Sequence, residues 1–170
     1  MLLPDAARSL FDAIDVTTIK GLRDRALIAT MIYTFARASA ARALTLGDYQ
    51  RRGRRAWLAL HEKRGQTIDL PFQPFQENYL DAYIAAGRHD DQRSFLFRSL
   101  AGRSPAAALS DRPLIANNVW TRFNARALAA GITGLIICNT LRATGITAYL
   151  QNGGQLHIAQ QMAGHASPSS

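Results

Sequence analysis

Apolar residues recur every three or four positions in the first quarter of the chain, and this period predicts helices. Pro4 to Ile14 is expected to form a short helix, and Leu22 to Leu44 a long one that is mostly buried. The apolar positions of the long segment are Leu27, Ile28, Met31, Ile32 and Phe35. The pattern therefore predicts that Arg37 lies near the C-terminal end of a buried helix.

The pattern changes character after residue 50. Arg55 to Leu60 is rich in large apolar residues, and Gln66 to Leu70 alternates polar and apolar residues, as strands do. Turn candidates lie at Gln50 to Arg55 and at Glu62 to Gly65. Short strands joined by tight turns predict a three-stranded antiparallel meander. Lys63 is expected in or beside its second turn.

Helical periodicity returns in the rest of the chain. The predicted helices are Pro74 to Ala86, Asn117 to Ala130, Asn139 to Gln151 and Gln155 to Ala163. Gly102 to Pro113 is rich in Gly, Ser, Pro and Ala and is predicted to be a loop. The expected fold class is α+β and mostly α-helical, with one small three-stranded antiparallel sheet in a single domain over residues 1–170.

The charge balance indicates a polyanionic partner. Lys and Arg total 20 against 12 Asp and Glu, which gives a net charge of +8 and a pI near 10.5. DNA, RNA and an acidic membrane surface would all fit this surplus, as would an otherwise ordinary basic protein. Nearly all of the positive charge is arginine, whose planar fork of donors grips phosphate bidentately; Lys20 and Lys63 are the two lysines.

Several classes of protein are disfavoured by the sequence. A lone cysteine, Cys138, cannot form an internal disulfide and fits a reducing cytosol. Apolar runs such as Ala26 to Ala36 are too short to span a bilayer, and the N-terminus does not resemble a signal peptide. The four histidines lack metal-ligand spacing, and no glycine-rich phosphate loop is present. We expect a cytoplasmic protein with no metal, no small-molecule cofactor and no membrane partner.

Two arginines stand out by their surroundings. Arg37 and Arg142 are each embedded among small and apolar residues, where a charge is costly to bury. Each alone could simply reach the surface or cap a helix.

Four segments in order resemble the tyrosine recombinase, or phage integrase, family. They are Thr34 to Arg37, Glu62 to Gly65, Asn139 to Thr144 and Met162 to His165. In the family the matching segments are an arginine at a Thr-Gly-Leu-Arg-like helix end, a lysine in a β-hairpin, a His-x-x-Arg segment that opens a helix, and a Gly-His after a short helix. The resemblance runs from about residue 20 to the end.

The resemblance implies a function and a role for each matching residue. In this family a tyrosine attacks a DNA phosphodiester, forms a 3′-phosphotyrosine and releases a 5′-hydroxyl, and strand exchange reverses that step. Arg37 and Arg142 would neutralise the transition state, and Lys63 would protonate the leaving oxygen. His165 would donate a hydrogen bond to the phosphate. The implied partner is double-stranded DNA, with a multimer on the DNA in the full-length protein.

Two residues depart from the family's pattern within the matching segments. Asn139 stands where a histidine is usual; an amide can donate to a phosphate oxygen or cap a helix, but it is no acid or base near neutral pH. Ala40 stands where the family often has glutamate, and the sequence leaves open whether Arg42 or another residue compensates.

The nucleophile is the third departure. None of the five tyrosines follows His165, where the family has its own. The resemblance therefore implies a catalytic domain without the tyrosine segment and without the family's N-terminal DNA-clamping domain, inactive as it stands. The alternative is a degenerate, non-catalytic DNA-binding relative. A type IB topoisomerase is a further alternative, because it shares the chemistry. An RNA-binding or partner-docking module is another, and it would require the four motif matches to have arisen by chance.

Overall fold

The computed structural model of the chain describes residues 4–132, 145–147 and 149–162. The helices are α1 (Pro4–Asp12), α2 (Ile19–Thr34), α3 (Ala38–Ala43), α4 (Pro74–Gly87), α5 (Ala116–Ala129) and α6 (Leu156–Met162). The strands are β1 (Tyr49–Arg52), β2 (Arg55–His61), β3 (Thr67–Pro71), β4 (Arg98–Leu100) and β5 (Leu109–Pro113). Residues 145–147 and 149–151 are also helical. The predicted fold class, mostly helical with a small antiparallel sheet, is confirmed.

Strands β1, β2 and β3 form the predicted antiparallel meander. Arg52 is opposite Arg55 at one end of the sheet, and His61 is opposite Thr67 at the other. The inward positions of β2 are Ala56, Leu58 and Leu60, which are fully buried and alternate with outward-facing residues. The two turns therefore lie at opposite ends of one strand, about 20 Å apart at the usual rise per residue.

The core is built around α2, which packs against α4 and α3, while α3 packs against β2. Thr18 caps α2, since its hydroxyl accepts a hydrogen bond of 3.1 Å from the Gly21 amide. The buried apolar residues of α2 join those of β2 and α4, and Phe97 just before β4, in one cluster, which includes Leu27, Ile28, Met31, Leu58, Leu80 and Phe97. One continuous core accounts for the packing of the described residues.

An arginine inside this core has a structural task. Arg23 is 1% exposed, pairs with Asp24 at 2.9 Å and donates to the Arg98 carbonyl at 3.0 Å. Arg126 of α5 reaches the other oxygen of Asp24 at 3.3 Å. Because these buried charges satisfy one another, they connect α2 with β4 and α5. Burial of an arginine therefore does not by itself indicate a functional site.

The predicted long helix Leu22 to Leu44 is wrong, because the chain breaks it at residue 35. Phe35 adopts the left-handed conformation (φ 57°, ψ 22°) and ends α2. Arg37 is extended (φ −72°, ψ 150°) and precedes α3 as its N-cap. The apolar period continues through the break because Ala40 and Ala41 of α3 enter the same core. Arg37 thus lies between two helices rather than at the end of one.

The loop predicted over Gly102 to Pro113 is partly wrong as well. Its last residues form β5, which pairs with β4 in a second antiparallel sheet. The register shifts between Arg98 and Leu100, and β5 carries Ser, Asp, Arg and Pro, so no apolar alternation marks it. Short and polar strands of this kind carry no periodic signal.

The described residues hold neither a candidate membrane span nor a candidate metal site. No helix among them is both long and apolar enough to span a bilayer. Across the same part of the chain, no three His, Cys, Asp or Glu side chains are grouped so as to hold a metal ion.

Candidate functional site

Arg37 is presented by the break between α2 and α3. Its side chain is 38% exposed, but its Nε atom is buried and lies 3.8 Å from Oε2 of Glu62. No hydrogen bond among the described residues uses the two outer nitrogens, Nη1 and Nη2. Glu62 therefore lies on the inner side of the guanidinium, within ion-pair range but beyond hydrogen-bond distance, and the outer fork has the geometry that can bind a phosphate bidentately.

Glu62 reaches Arg37 from the second turn of the sheet. It directly follows β2, its side chain is 3% exposed, and its amide donates to the Gln66 carbonyl at 2.8 Å, which closes the turn. Its Oε1 is buried without a hydrogen-bond partner in the described part of the chain. A buried carboxylate is costly without a nearby cation, and here that cation is Arg37.

Lys63 opens the short 3-10 turn Lys63–Gly65, as the sequence predicted. It is exposed, and no hydrogen bond or ion pair within the described ranges involves it. Arg64 (φ 71°) and Gly65 (φ 73°) both lie in the left-handed region, so the turn contains a non-glycine residue that costs roughly 1–2 kcal/mol. Since Glu62 is adjacent to Lys63 and pairs with Arg37, the two predicted site residues belong to one end of the sheet.

The segment that follows Arg142 in the sequence packs against the end of α2. A Cβ atom on Gly145 would lie 1.7 Å from the Ile32 carbonyl oxygen, so only glycine allows this approach. The Phe35 and Tyr149 rings meet edge to face, with centroids 5.9 Å apart. The helical residues 145–147 and 149–151 are thereby attached to the same break that presents Arg37.

Three predicted site residues, Asn139, Arg142 and His165, lie outside the described residues. The structure brings Arg37 and the Lys63 turn together and does not describe the rest of the set. The sequence places Glu62 at the start of the predicted turn and of the segment that resembles the family, with no role of its own. No signal marks it, because burial of a carboxylate beside an exposed lysine depends on tertiary packing.

Ala40 places no carboxylate where the family often has glutamate. Arg42 is committed elsewhere, since its Nε donates to the Leu114 carbonyl. Ala40 itself is part of the core. A carboxylate nevertheless lies beside Arg37, that of Glu62, which belongs to a different element.

The remaining charges of the sheet are paired at its surface. Arg51 contacts Asp81 at 2.7 Å and Glu77 at 3.3 Å, and Arg52 contacts Asp69 at 3.0 Å. Burial and a hydrogen bond to Asp81 raise the pKa of Tyr49, which therefore stays neutral. These pairs use the outer nitrogens of the arginines, unlike Arg37.

Comparison with solved structures places this fold among integrase catalytic domains. The XerH site-specific recombinase bound to difH substrate superposes with a TM-score of 0.79 at 18% identity, covering 98% of this chain and 47% of that one. The catalytic core of lambda integrase gives a TM-score of 0.68 at 16% identity, covering 99% of this chain and 92% of that one.

Sequence comparison identifies the family. The Phage integrase family model matches residues 1–170. Tyrosine recombinase XerD of Mycobacterium tuberculosis (strain CDC 1551 / Oshkosh) is 31% identical over 149 residues, covering 86% of this chain and 45% of the relative. Tyrosine recombinase XerC of Oceanobacillus iheyensis is 28% identical over 167 residues, covering 95% and 51%. The chain belongs to the phage integrase family of tyrosine recombinases and spans about half the length of these curated relatives.

Proposed function

We propose that this chain is the catalytic-domain portion of a site-specific recombinase that cuts and rejoins double-stranded DNA through a 3′-phosphotyrosine. The observation that carries the proposal is the position of Arg37 beside the Lys63 turn: its side chain is 38% exposed, its inner nitrogen faces the buried Glu62, and no hydrogen bond within the described residues uses its outer nitrogens. This is the arrangement that a phosphate clamp with an adjacent proton donor requires.

Each predicted residue has a defined task in this proposal. Arg37 and Arg142 bind the two non-bridging oxygens of the scissile phosphate and stabilise the charge that develops there. Lys63 protonates the 5′-oxygen as it leaves, and His165 donates a further hydrogen bond to the phosphate. Asn139 donates to a phosphate oxygen without moving a proton. Arg142 is three residues before Gly145, which packs on the end of α2.

The proposal extends to partners and location. The net charge of +8 supports binding to duplex DNA, whose phosphates are neutralised mainly by arginine here. We infer one catalytic-type domain over residues 1–170, acting in the cytoplasm without a metal or other cofactor, and a multimer on DNA in the longer protein. Among the structural neighbours, a lambda integrase dimer bound to a core site and a lambda integrase tetramer bound to a Holliday junction are such assemblies, and XerH is bound to its difH substrate.

A covalent adduct tests the proposed chemistry. A version of the chain that carries a tyrosine after His165 is mixed with nicked duplex DNA, and protein–DNA adducts that survive boiling in detergent are counted. We expect an adduct in the parent and a loss of about 10² to 10³ in its rate of formation for Arg37→Ala. An adduct that forms equally fast without Arg37 contradicts the assigned role.

The second candidate is a non-catalytic DNA-binding relative, which Asn139 favours. Asn139→His in the same adduct assay separates the two. If the parent forms no adduct, binds duplex DNA with strong salt dependence and gains an adduct only with Asn139→His, the chain has lost its chemistry at that position. An adduct with Asn139 in place supports the recombinase.

A further inference from the structure

We propose that Glu62 is a positioning residue that orients the Arg37 guanidinium toward the DNA phosphate; this inference rests on the proposed function. Oε2 of Glu62 lies 3.8 Å from Nε of Arg37, within ion-pair range but beyond hydrogen-bond distance, and no hydrogen bond among the described residues uses the outer nitrogens. An arginine held at Nε has one rotational freedom fewer, and its two Nη groups project together as a bidentate fork.

The burial of Glu62 makes it suited to this task. Its side chain is 3% exposed, whereas that of Arg37 is 38% exposed, so the carboxylate is the fixed partner and the arginine is the one that reaches outward. The attraction between them is screened less than that of an ion pair in water, because one of the charges is removed from solvent. A separation of 3.8 Å keeps the pair within ion-pair range.

The same carboxylate also connects Arg37 to the Lys63 turn. The Glu62 amide is fixed to the Gln66 carbonyl at 2.8 Å, and Lys63 is the next residue in the chain. Any movement of this turn therefore displaces the anchor of Arg37. The Arg37–Glu62 pair thereby fixes the position of the phosphate-binding arginine relative to the proton donor, although the two residues belong to different elements.

A positioning role and a purely electrostatic role for Glu62 predict opposite changes in DNA affinity when its carboxylate is removed. A carboxylate close to a bound phosphate repels it, so by charge alone the removal of Glu62 strengthens DNA binding. If Glu62 instead holds Arg37 in its binding orientation, its removal weakens binding although the net charge of the protein becomes more positive.

The experiment compares Glu62→Gln with Glu77→Gln in duplex DNA binding across a salt series. Glu77 is the matched control, because it accepts from Arg51 and from the Ala56 amide near the opposite end of the sheet and lies outside the site. We expect Glu62→Gln to weaken binding about fivefold and Glu77→Gln to leave it unchanged or slightly tighter. In an Arg37→Ala background, Glu62→Gln should have no weakening effect.

The outcomes separate this inference from the proposed function. If Arg37→Ala leaves the salt dependence unchanged, the proposed function fails, whatever Glu62 does. If Arg37→Ala lowers it but Glu62→Gln tightens binding, or weakens it equally in both backgrounds, the positioning role is overturned alone. If Glu62→Gln does not unfold cooperatively, Glu62→Asp replaces it. Glu62→Asp keeps the charge but places the carboxylate one methylene farther from Arg37. Again, only a weakening of DNA binding that disappears in the Arg37→Ala background supports the inference.

Discussion

The two ends of the three-stranded sheet hold arginines that look alike in the sequence and differ in the structure. Arg37 and Arg52 have similarly exposed side chains, 38% and 47%, and each lies beside a carboxylate. The partner of Arg37 is Glu62, which is 3% exposed and contacts the inner Nε, whereas the partner of Arg52 is Asp69, which is 45% exposed and contacts the outer Nη1. The ion pair of Arg37 is thus on the inner side of its guanidinium, with a buried carboxylate. That of Arg52 is at the outer end, with a solvent-exposed carboxylate.

This difference teaches what distinguishes a ligand-binding arginine from a surface one. Exposed pairs such as Arg52–Asp69 are screened and contribute little to stability or binding. Arg52 also stacks over the Trp57 ring at 5.4 Å, which occupies its flat face. The number of arginines at each end of the sheet therefore does not indicate where a ligand binds. The nitrogen atom through which each arginine is paired is more informative.

The largest expected effect concerns the packing behind Arg37. Gly145→Ala should lower the free energy of unfolding by about 3 kcal/mol, because the added Cβ would lie 1.7 Å from the Ile32 carbonyl oxygen. The control is Gly53→Ala in the turn at the opposite end, where φ is +65° and the space around the glycine is open. There the cost is the left-handed conformation alone, about 1 kcal/mol. Urea denaturation measures both, and equal losses would refute tight packing at the Arg37 end.

A substitution in the Lys63 turn should have a smaller effect on the free energy of unfolding than Gly145→Ala, and in the opposite direction. Gly53 is the left-handed residue of the β1–β2 turn, whereas in the Lys63 turn the non-glycine Arg64 has φ 71°. Arg64→Gly should raise the free energy of unfolding by up to about 1 kcal/mol, because glycine adopts this conformation without steric strain. A thermal melt checks it. A loss of stability would mean that Arg64 makes contacts which outweigh the strain.

The smallest effect is expected at the surface pair. Arg52→Ala should lower the free energy of unfolding by less than about 1 kcal/mol, since Asp69 remains solvated without its partner. The loss should shrink further in 1 M salt, where exposed charges are screened over about 3 Å. A loss of several kcal/mol that persists in high salt would show that the pair is coupled to the core, and the contrast with Arg37 would disappear.

Much of the fold could be predicted because its signals are local. The apolar composition of Arg55 to Leu60, the alternation of Gln66 to Leu70 and the turn residues around Gly53 and Glu62 predicted the meander. The break at Phe35 was not predictable, because an aromatic residue in the left-handed conformation gives no sequence signal; its ring is stabilised there by packing on Tyr149. Strand β5 was missed because its residues are polar and its partner is distant in sequence.

The candidate site divides in the same way. Arg37 and Lys63 were predicted through the resemblance of their sequence segments to those of the tyrosine recombinase family. Glu62 was not found as the partner of Arg37, because the two are 25 positions apart and only the packing of the turn against the α2–α3 break brings them together. Contacts between elements are the part of a site that a single sequence does not report.

The central claim, that the outer fork of Arg37 binds a DNA phosphate, is tested most directly by the salt dependence of duplex binding. The slope of log K against log salt is measured for the parent chain, Arg37→Ala and Arg52→Ala on the same duplex. We predict that Arg37→Ala lowers the magnitude of the slope by about 0.9, the value for one phosphate contact, and that Arg52→Ala changes it by much less. An unchanged slope for Arg37→Ala, or an equal change for both variants, would contradict the account.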